Sequence, residues 1–288
     1  MDIDNCCDLH VHTTASDGSD SPEGLVALAA GAGLKAIAVT DHDTTAGLEE
    51  AARAGKKFGI EVIPGVEFSI NSQTGDMHML GYYIQAGSGS LKTALSRVQA
   101  ARARRNPLIL ERLERLGMPV SQEELEETSK GGQIGRPHIA RAMVRHGYVN
   151  SVGEAFARYL RKGGSAYAPK SILTPSEAIG IIHESGGLAV LAHPISLACE
   201  TRDALDNAVS ALALKGLDGM ECYYSEHGRD FMEICLAIAG KYRLVATGGS
   251  DYHGKAKPQI ALGRGRGGLC VPYECVKALK AKLKNMEI

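Results

Sequence analysis

Short apolar runs alternate with segments of helical period along most of this chain, and this alternation limits the possible folds more than any other feature. A helical pattern over 22–34, with Ser21 as its N-cap, follows the first run, and a second helix is predicted over 45–58. Strands separated by helices predict an α/β fold with a mainly parallel sheet. The runs that we expect to be strands cover residues 5–12, 35–40, 61–70, 186–194, 217–224 and 243–253.

The segment from Leu91 to Lys162 departs from this alternation. It is rich in Arg, Glu, Ala and Leu at helical spacing and contains no convincing strand. We therefore expect an inserted helical domain over 91–162, with residues 1–90 and 163–288 forming the α/β domain. Its helices are predicted at about 90–116, 121–128, 136–146 and 151–160, each broken by Gly or Pro.

Charge and hydropathy exclude several classes of protein. The 32 basic and 33 acidic residues nearly cancel, so we expect no stable binding to duplex nucleic acid, and any affinity for phosphate must be local. Residues 1–30 lack a signal-peptide pattern and no later apolar run is long enough to cross a membrane, which predicts a cytoplasmic protein. At 288 residues the chain can bury a substantial core without an oligomer.

The seven cysteines are an odd number without a CxxC pair, and we expect them to be reduced and mostly buried. They are Cys6, Cys7, Cys199, Cys222, Cys235, Cys270 and Cys275.

Histidine and carboxylate side chains stand where the apolar runs end, which is where α/β barrels and open sheets form their active sites. His10 and His12 are two residues apart in an extended run, so both leave the same face and can reach one ion. The other such residues are Asp17 in SDGSD, Asp41, His42 and Asp43 in TDHD, Glu67 in GVEFS, His78 in DMHMLGY, His193 in AHP, and Asp251 and His253 in GSDYH.

A lone histidine at a strand end is more often structural than a metal ligand. So many ionisable groups, however, would be costly to bury together without a compensating charge. Metal ions supply that compensation. Imidazole and carboxylate ligands without thiolate suit Zn, Mn or Fe(II) at a catalytic site better than a closed structural zinc site. We therefore predict two or three divalent ions, with open positions for water and substrate.

Taken in order, these motifs resemble the PHP (polymerase and histidinol phosphatase) superfamily over nearly the whole chain. The motifs are DLHVHTTASDG, VTDHDT, GVEFS, HMLGY, AHP and GSDYH. The resemblance implies a distorted (β/α)7 barrel with a trinuclear metal site at the C-terminal face of its strands. It also implies the ligands: His10, His12, Glu67 and Asp251 for one metal; Glu67 as a bridge to a second, completed by His78 and His193; and Asp17, His42 and His253 for the third.

Within that superfamily, the chain resembles the branch that contains nucleotide phosphatases and a 5′-to-3′ exoribonuclease acting on short RNA. The similar segments are GRPHIARAMV (135–144), FARYLRKGGSAYAPK (156–170) and the insertion between His78 and His193. Asp17 fits this branch, because histidinol-phosphate phosphatases tend to have histidine at that position.

The expected function is hydrolysis of a phosphomonoester of a nucleotide, either AMP or a 3′,5′-bisphosphate such as pAp. Adjacent divalent ions lower the pKa of a bridging water toward neutrality and orient the phosphate. We expect a hydroxide between the Glu67-linked metals to be the nucleophile, so no protein side chain is assigned to that role.

Arg136 and His138 are predicted to bind the substrate phosphate, because Arg offers a planar fork of donors and His can donate to an oxyanion. The alternative is an ordinary helix start around Pro137. Lys170 and His227 are weaker candidates for phosphate contact or for protonation of the leaving group.

Two further groups of residues fit a nucleotide or a structural role. Tyr167, Tyr223 and Tyr224 could stack on a base, although core packing is the commoner use of tyrosine. The basic run RVQAARARRN (97–106) fits an exposed helix face as well as it fits RNA binding.

Other functions stay open from the sequence. One alternative is a 5′-3′ exoribonuclease that acts on short 5′-phosphorylated RNA, and a further alternative is a histidinol-phosphate phosphatase. A non-catalytic PHP scaffold module would not need the complete ligand set. An amidohydrolase-like enzyme that cleaves C–N bonds has no support, since no residue favours a carbonyl over a phosphoryl substrate.

Overall fold

The computed structural model describes residues 5–71, 76–129, 132–169 and 173–286. Seven strands pair in chain order: β1 (Cys6–Val11), β2 (Ala36–Val39), β3 (Glu61–Ile70), β4 (Met77–Tyr82), β5 (Leu188–Leu191), β6 (Gly219–Tyr224) and β7 (Val245–Gly249). The residues after β7 close the sheet on β1, because the Asp251 amide donates to the His10 carbonyl and the His12 amide to the Tyr252 carbonyl, both at 2.9 Å. The predicted α/β fold with a distorted seven-stranded barrel is confirmed.

One strand of the barrel runs against its neighbours. β4 is antiparallel to both β3 and β5, whereas β1–β3 and β5–β7 are parallel within each set. Only residues 71–76 separate β3 from β4, and a parallel connection needs a crossover of a dozen or more residues. The short link therefore forces an antiparallel hairpin. A two-residue strand, β8 (Val271–Pro272), adds to β1 in antiparallel sense.

Helices cover the sheet in the order that the sequence predicts. They are α1 (Pro22–Gly31), α2 (Leu48–Phe58), α7 (Pro175–Glu184), α8 (Arg202–Ala213), α9 (Arg229–Lys241) and α10 (Glu274–Met286). Ser21 is the N-cap of α1 as expected, since its hydroxyl accepts from the Gly24 amide at 3.1 Å and Pro22 occupies the first turn. The main hydrophobic cluster joins these helices to the strands, with Leu25, Ile37 and Phe68 among its fully buried members.

The segment between β4 and β5 is mainly helical within its described residues. It contains α3 (Gly89–Arg115), α4 (Gln122–Ser129), α5 (Arg136–Arg145) and α6 (Val152–Ala155), followed by a π-helical turn over Phe156–Leu160. The first part of α3 packs on the barrel cluster through Leu91 and Val98, whereas Ile109 and Leu113 belong to a separate cluster with the other helices of the segment. This separate core supports an inserted domain over 91–162, which remains our proposal.

The expectation of reduced cysteines is wrong for two of the seven. Cys6 and Cys270 form a disulfide that links β1 to the residues before β8. They are 264 positions apart in sequence and become neighbours only through the pairing of β8 with β1, so their spacing carries no signal of the bond. Cys7, Cys222, Cys235 and Cys275 are buried free thiols and Cys199 is partly buried. Among the described helices, none is both long and apolar enough to cross a membrane.

Candidate metal centre

The nine residues predicted as metal ligands lie together at the ends of the barrel strands. Three overlapping groups have ligand atoms within 4.8 Å of one another: His10 with His12 and Glu67; His42 with Glu67 and His78; and His12 with Asp17, His42 and His253. The remaining two residues adjoin these groups. Asp251 Oδ1 lies 3.2 Å from His12 Nε2, and His193 Nε2 lies 3.0 Å from Glu67 Oε1.

Glu67 occupies the middle of the cluster, with imidazole nitrogens around both of its oxygens. Oε2 lies 2.9 Å from His42 Nδ1 and 3.3 Å from Nε2 of both His10 and His12. Oε1 lies 2.8 Å from His78 Nδ1. This is the position that a bridging carboxylate requires. The grouping differs from the expected one in two respects, because His42 also reaches Glu67 and His12 also belongs to the group around Asp17.

Several of these buried atoms make no hydrogen bond within the part of the chain that the structure describes. They are His10 Nε2, both ring nitrogens of His12, His42 Nδ1 and Glu67 Oε2. Buried polar atoms are almost always hydrogen-bonded, and leaving one unsatisfied costs about 1–3 kcal/mol. Imidazole nitrogens and carboxylate oxygens that converge without bonding to one another fit divalent metal ions of the Zn, Mn or Fe type.

The electrostatics keep the carboxylates in their metal-binding form. Burial alone would raise the pKa of Glu67, yet His42, His78 and His10 hold that pKa well below its usual range. Burial would likewise raise the pKa of Asp17, but His253 and His42 hold it well below its usual range. Burial lowers the pKa of His12 to about 3, so its ring is neutral at pH 7. Ionised carboxylates and neutral imidazoles are the forms that bind metals. Against the effect of burial, Glu221 and Glu67 raise the pKa of His10, and Glu67 and Asp17 raise that of His42, so metal binding at these two rings displaces a proton.

Charged and polar side chains behind the ligands orient them. His10 Nδ1 donates to Glu221 Oε1 at 3.1 Å, and the same buried carboxylate accepts from the His193 amide at 2.7 Å. Asp251 Oδ2 accepts from Tyr224 Oη at 2.9 Å and from Lys257 Nζ at 2.6 Å. Partners of this kind fix the tautomer and the direction of a ligand.

The sequence analysis missed Glu221 and Lys257. Glu221 had a usable signal, because it is a charged residue inside the otherwise apolar run GMECYY.

Two ligand positions also have unusual backbone geometry. Asp251 has a φ of 58° and His193 a φ of 23°, in the region that favours glycine. Such conformations cost on the order of 1–3 kcal/mol and persist where the surrounding structure enforces them. Each of the two residues lies two positions after the end of a strand, β5 for His193 and β7 for Asp251, where the turn directs its side chain into the cluster.

A cavity of about 520 Å³ opens beside the cluster, between the barrel and the helical segment. The barrel contributes Asp17, His42 and His78 to its wall. The helical segment contributes mainly cationic and aromatic side chains, namely Arg102, Arg105, Arg136, Phe156 and Lys162, and Tyr167 follows it in the chain. Burial, followed by the like charges of Arg102 and Arg136, lowers the pKa of Arg105 to about 9, and the group remains charged at pH 7.

For the basic run at 97–106 the sequence left open both RNA binding and an exposed helix face, and Arg102 and Arg105 do not fit the interpretation as an exposed face. That interpretation holds for Arg97, whose side chain is 56% exposed, but Arg102 and Arg105 are buried. They fall on the same helical face as the core residues Val98 and Ile109, at spacings of three and four residues.

The four predicted substrate-binding residues have different surroundings. Arg136 lines the cavity, where its Nη1 donates to the Leu160 carbonyl at 3.0 Å. His138 is buried, and its Nδ1 accepts from the Gly135 amide at 3.2 Å, which caps α5. His227 Nδ1 donates to the Cys222 carbonyl at 2.8 Å. Lys170 lies outside the described residues.

The tyrosines also divide by location. Tyr167 lines the cavity, Tyr224 bonds to Asp251, and Tyr223 packs against the hydrophobic core.

Comparison with known proteins gives a consistent set of similarities. A family model for the PHP domain matches residues 8–161. The 5′-3′ exoribonuclease Rnm of Escherichia coli is 36% identical over 273 residues, which cover 89% of this chain and 88% of that protein. A 3′,5′-nucleoside bisphosphate phosphatase of Chromobacterium violaceum is 30% identical over 254 residues, covering 85% and 86%. Among solved structures, a protein of Bifidobacterium adolescentis assigned as a metal-dependent phosphoesterase matches with a TM-score of 0.85 and 32% identity, over 96% of both chains.

Proposed function

The chain belongs to the PHP domain family and is a metal-dependent phosphoesterase, and we propose that its substrate is a nucleotide carrying a second anionic group, such as a nucleoside 3′,5′-bisphosphate. The observation that carries this proposal is the pairing of two features across one cavity. The barrel contributes His42, whose buried Nδ1 has no hydrogen bond within the described residues, and the helical segment contributes the buried Arg102 and Arg105 together with the partly buried Arg136.

We assign the metal ligands as follows: His10, His12, Glu67 and Asp251 for one ion; Glu67, His78 and His193 for a second; and Asp17, His42 and His253 for a third. When bound, divalent ions at such a site polarise a phosphoryl group and activate water for in-line displacement. Glu221 and Lys257 hold the ligands in place from behind. Zn, Mn and Fe all suit this ligand set.

The arginine wall, formed by Arg102, Arg105 and Arg136, distinguishes phosphate esters that carry a second anion from those that do not. Arg102, Arg105 and Arg136 are close enough for each to disfavour the charge of another, so an anion between them relieves their mutual repulsion. A nucleotide with two phosphate groups would have one beside the metal ligands and one at this wall, with its base near Phe156 and Tyr167, which also line the cavity. Histidinol phosphate has no second anion, and it therefore fits this wall poorly.

A second candidate is 5′-3′ exoribonuclease activity on short 5′-phosphorylated RNA, and the 36% identity to Rnm favours it. In that case the phosphodiester of the next nucleotide would contact the arginines. The cavity volume of about 520 Å³ is within the range for small-molecule sites, so it holds one nucleotide and a longer chain must extend beyond it. We put the nucleotide bisphosphate first because this volume is of the size of a small-molecule site. The cytoplasmic location remains a prediction from the sequence.

The test measures phosphate release from pAp, AMP and histidinol phosphate and mononucleotide release from a short 5′-phosphorylated RNA, each with Mn or Zn added. We expect kcat/KM to be highest for pAp and at least about tenfold lower for histidinol phosphate, since one charged hydrogen bond contributes about 1.5–3 kcal/mol. A preference for histidinol phosphate, or for AMP over pAp, would contradict a site built for two anionic groups.

A further inference from the structure

Asp43 is a fully buried carboxylate directly after the proposed ligand His42. Its φ of 53° is a left-handed conformation that aspartate and asparagine tolerate better than most residues. Its amide donates to the Glu67 carbonyl at 2.9 Å, and its Oδ1 accepts from the Ser69 amide at 3.1 Å. Asp43 therefore fastens the loop after β2 to the strand that carries Glu67.

The same residue also fastens this loop to helix α3. Asp43 Oδ2 accepts from Arg102 Nη2 in an ion pair between two buried side chains. The Asp43 carbonyl accepts from Gln99 Nε2 at 2.9 Å. Gln133, in the orientation that pairs both ends of its amide, donates to that carbonyl at 3.3 Å and accepts from Arg102 Nε at 3.1 Å. The helical segment is thus docked on the metal-ligand loop through both the backbone and the carboxylate of Asp43.

Arg102 is enclosed on another side by Gly135, the N-cap of the helix that carries Arg136. A Cβ atom at Gly135 would lie 2.7 Å from Arg102 Nη1. The backbone of Gly135 is extended, with φ −132° and ψ 178°, which any residue adopts. Glycine at this position therefore provides space for the guanidinium and not conformational freedom.

We propose that Asp43 is a positioning residue that holds Arg102 at a fixed place on the cavity wall, with Gly135 leaving room for it. Asp43 is not among the residues that line the cavity, whereas Arg102 is. Because Asp43 also holds the His42 loop, it sets the spacing between the metal ligands and the cationic wall. This spacing selects substrates whose second anion lies at the matching distance from the reacting phosphate, a role that rests on the proposed function.

The test uses Asp43→Asn, Arg102→Gln, Gly135→Ala and the double variants Asp43→Asn/Arg102→Gln and Gly135→Ala/Arg102→Gln. Asparagine keeps the left-handed conformation and an acceptor for the Ser69 amide but removes the charge that pairs with Arg102. Arg97→Gln is the matched control, because Arg97 lies on the same helix but is exposed and pairs with Glu177. We measure kcat and KM for a nucleoside 3′,5′-bisphosphate and for p-nitrophenyl phosphate, together with bound metal and the Tm of the metal-free proteins.

We expect Asp43→Asn and Gly135→Ala each to raise the KM for the bisphosphate roughly tenfold, the effect of weakening one charged hydrogen bond. The two double variants should have the same KM for the bisphosphate as Arg102→Gln alone, because Asp43→Asn and Gly135→Ala both act through Arg102. For each variant the loss of kcat/KM on p-nitrophenyl phosphate, which has no second anion, should be several-fold smaller than the loss on the bisphosphate. The Tm of metal-free Asp43→Asn/Arg102→Gln should be no lower than that of the less stable single variant, since each single change leaves a buried charge without its partner. Arg97→Gln should match the wild type.

Multiplicative effects of Asp43→Asn and Arg102→Gln on KM would overturn the proposal. So would equal losses on both substrates accompanied by loss of metal, which would limit Asp43 to supporting His42. Failure of the proposed function is a separate result: the wild type would hydrolyse neither substrate. The Tm values of the metal-free variants do not depend on activity. If the Tm losses of Asp43→Asn and Arg102→Gln add in the double variant, the proposed docking of Arg102 on Asp43 is overturned.

Discussion

Arg136 is the residue for which the sequence prediction and the cavity agree most directly. Its guanidinium lines the cavity, stacks over the Phe156 ring at 5.5 Å and lies 3.9 Å from Asp76. Arg136→Ala should lower kcat/KM for a nucleotide bisphosphate about ten- to a hundredfold, since a hydrogen bond to a charged group contributes about 1.5–3 kcal/mol. Arg136→Lys should recover only part, because lysine lacks the planar fork.

Comparing the effect of Arg136→Ala on a nucleotide bisphosphate and on p-nitrophenyl phosphate shows whether Arg136 contacts the second anion or the reacting phosphate. If it binds the second anion, p-nitrophenyl phosphate should be insensitive to Arg136→Ala. An equal loss on both substrates would place the residue at the reacting phosphate. No loss on either would show that Arg136 only packs in the helical segment.

His138 has a structural use that the sequence analysis weighed as its alternative, and that use predicts a pH dependence of stability. Burial, with Arg141 adding to it, lowers the pKa of His138 to about 4, whereas an unfolded histidine titrates near pH 6.5. A depressed folded-state pKa contributes stability that is complete above about pH 6.5 and is lost as the pH falls toward 4. Protonation would also remove the lone pair of Nδ1 that accepts from the Gly135 amide.

The matched variant is His138→Gln, because glutamine at the third helical position can also cap and does not titrate. Urea denaturation of the metal-free proteins should show that the wild type loses more unfolding free energy than the variant between pH 7.5 and pH 5. Parallel losses in the two proteins would contradict the assigned neutral form.

At the scale of elements, the disulfide between Cys6 and Cys270 predicts a measurable effect on stability. It joins β1, which continues into His10 and His12, to the residues before β8. Such a bond typically contributes about 2–4 kcal/mol, so Cys270→Ser or a strong reductant should lower Tm by about 5 °C or more. Cys199→Ser, which alters a partly buried free thiol, is the control and should leave Tm nearly unchanged. Equal Tm values with and without reductant would mean that the bond does not stabilise the protein.

The strand ends were predictable from the sequence, whereas the buried arginines of α3 were not. The strand ends carrying His10, Glu67 and Asp251 were predicted because apolar runs and ordered motifs are local signals. Arg102 and Arg105 were missed because whether a charged helix face meets solvent or a cavity depends on what packs against it, and the neighbouring helices are distant in sequence.

Contacts between residues far apart in the chain also had no local signal in the sequence. The pairing of β8 with β1, which brings Cys270 to Cys6, joins residues at opposite ends of the chain. The charge of Glu221 within β6 was visible in the sequence, but its partner His10 lies 211 positions away.

At the scale of the whole molecule, the helical segment leaves the barrel after β4 and returns before β5. The segment is attached at Tyr82 and Leu188, which pair with each other at the end of β4 and β5 that lies away from the proposed ligands His78 and His193. Helix α3 spans the distance to the ligands, because Leu91 near its start packs on the barrel cluster whereas Gln99 and Arg102 bond to Asp43 beside His42. This packing supports our proposal that the segment is a cap domain over the barrel mouth.

The central claim is that this barrel holds a cluster of metal ions, and the number of ions bound per chain tests it most directly. Elemental analysis after reconstitution with Mn or Zn and removal of excess metal should give more than one equivalent, because the nine proposed ligands, Glu67 included, exceed the about four to six that one such ion takes up. A value of one equivalent or less, in a protein that remains folded, would contradict the cluster.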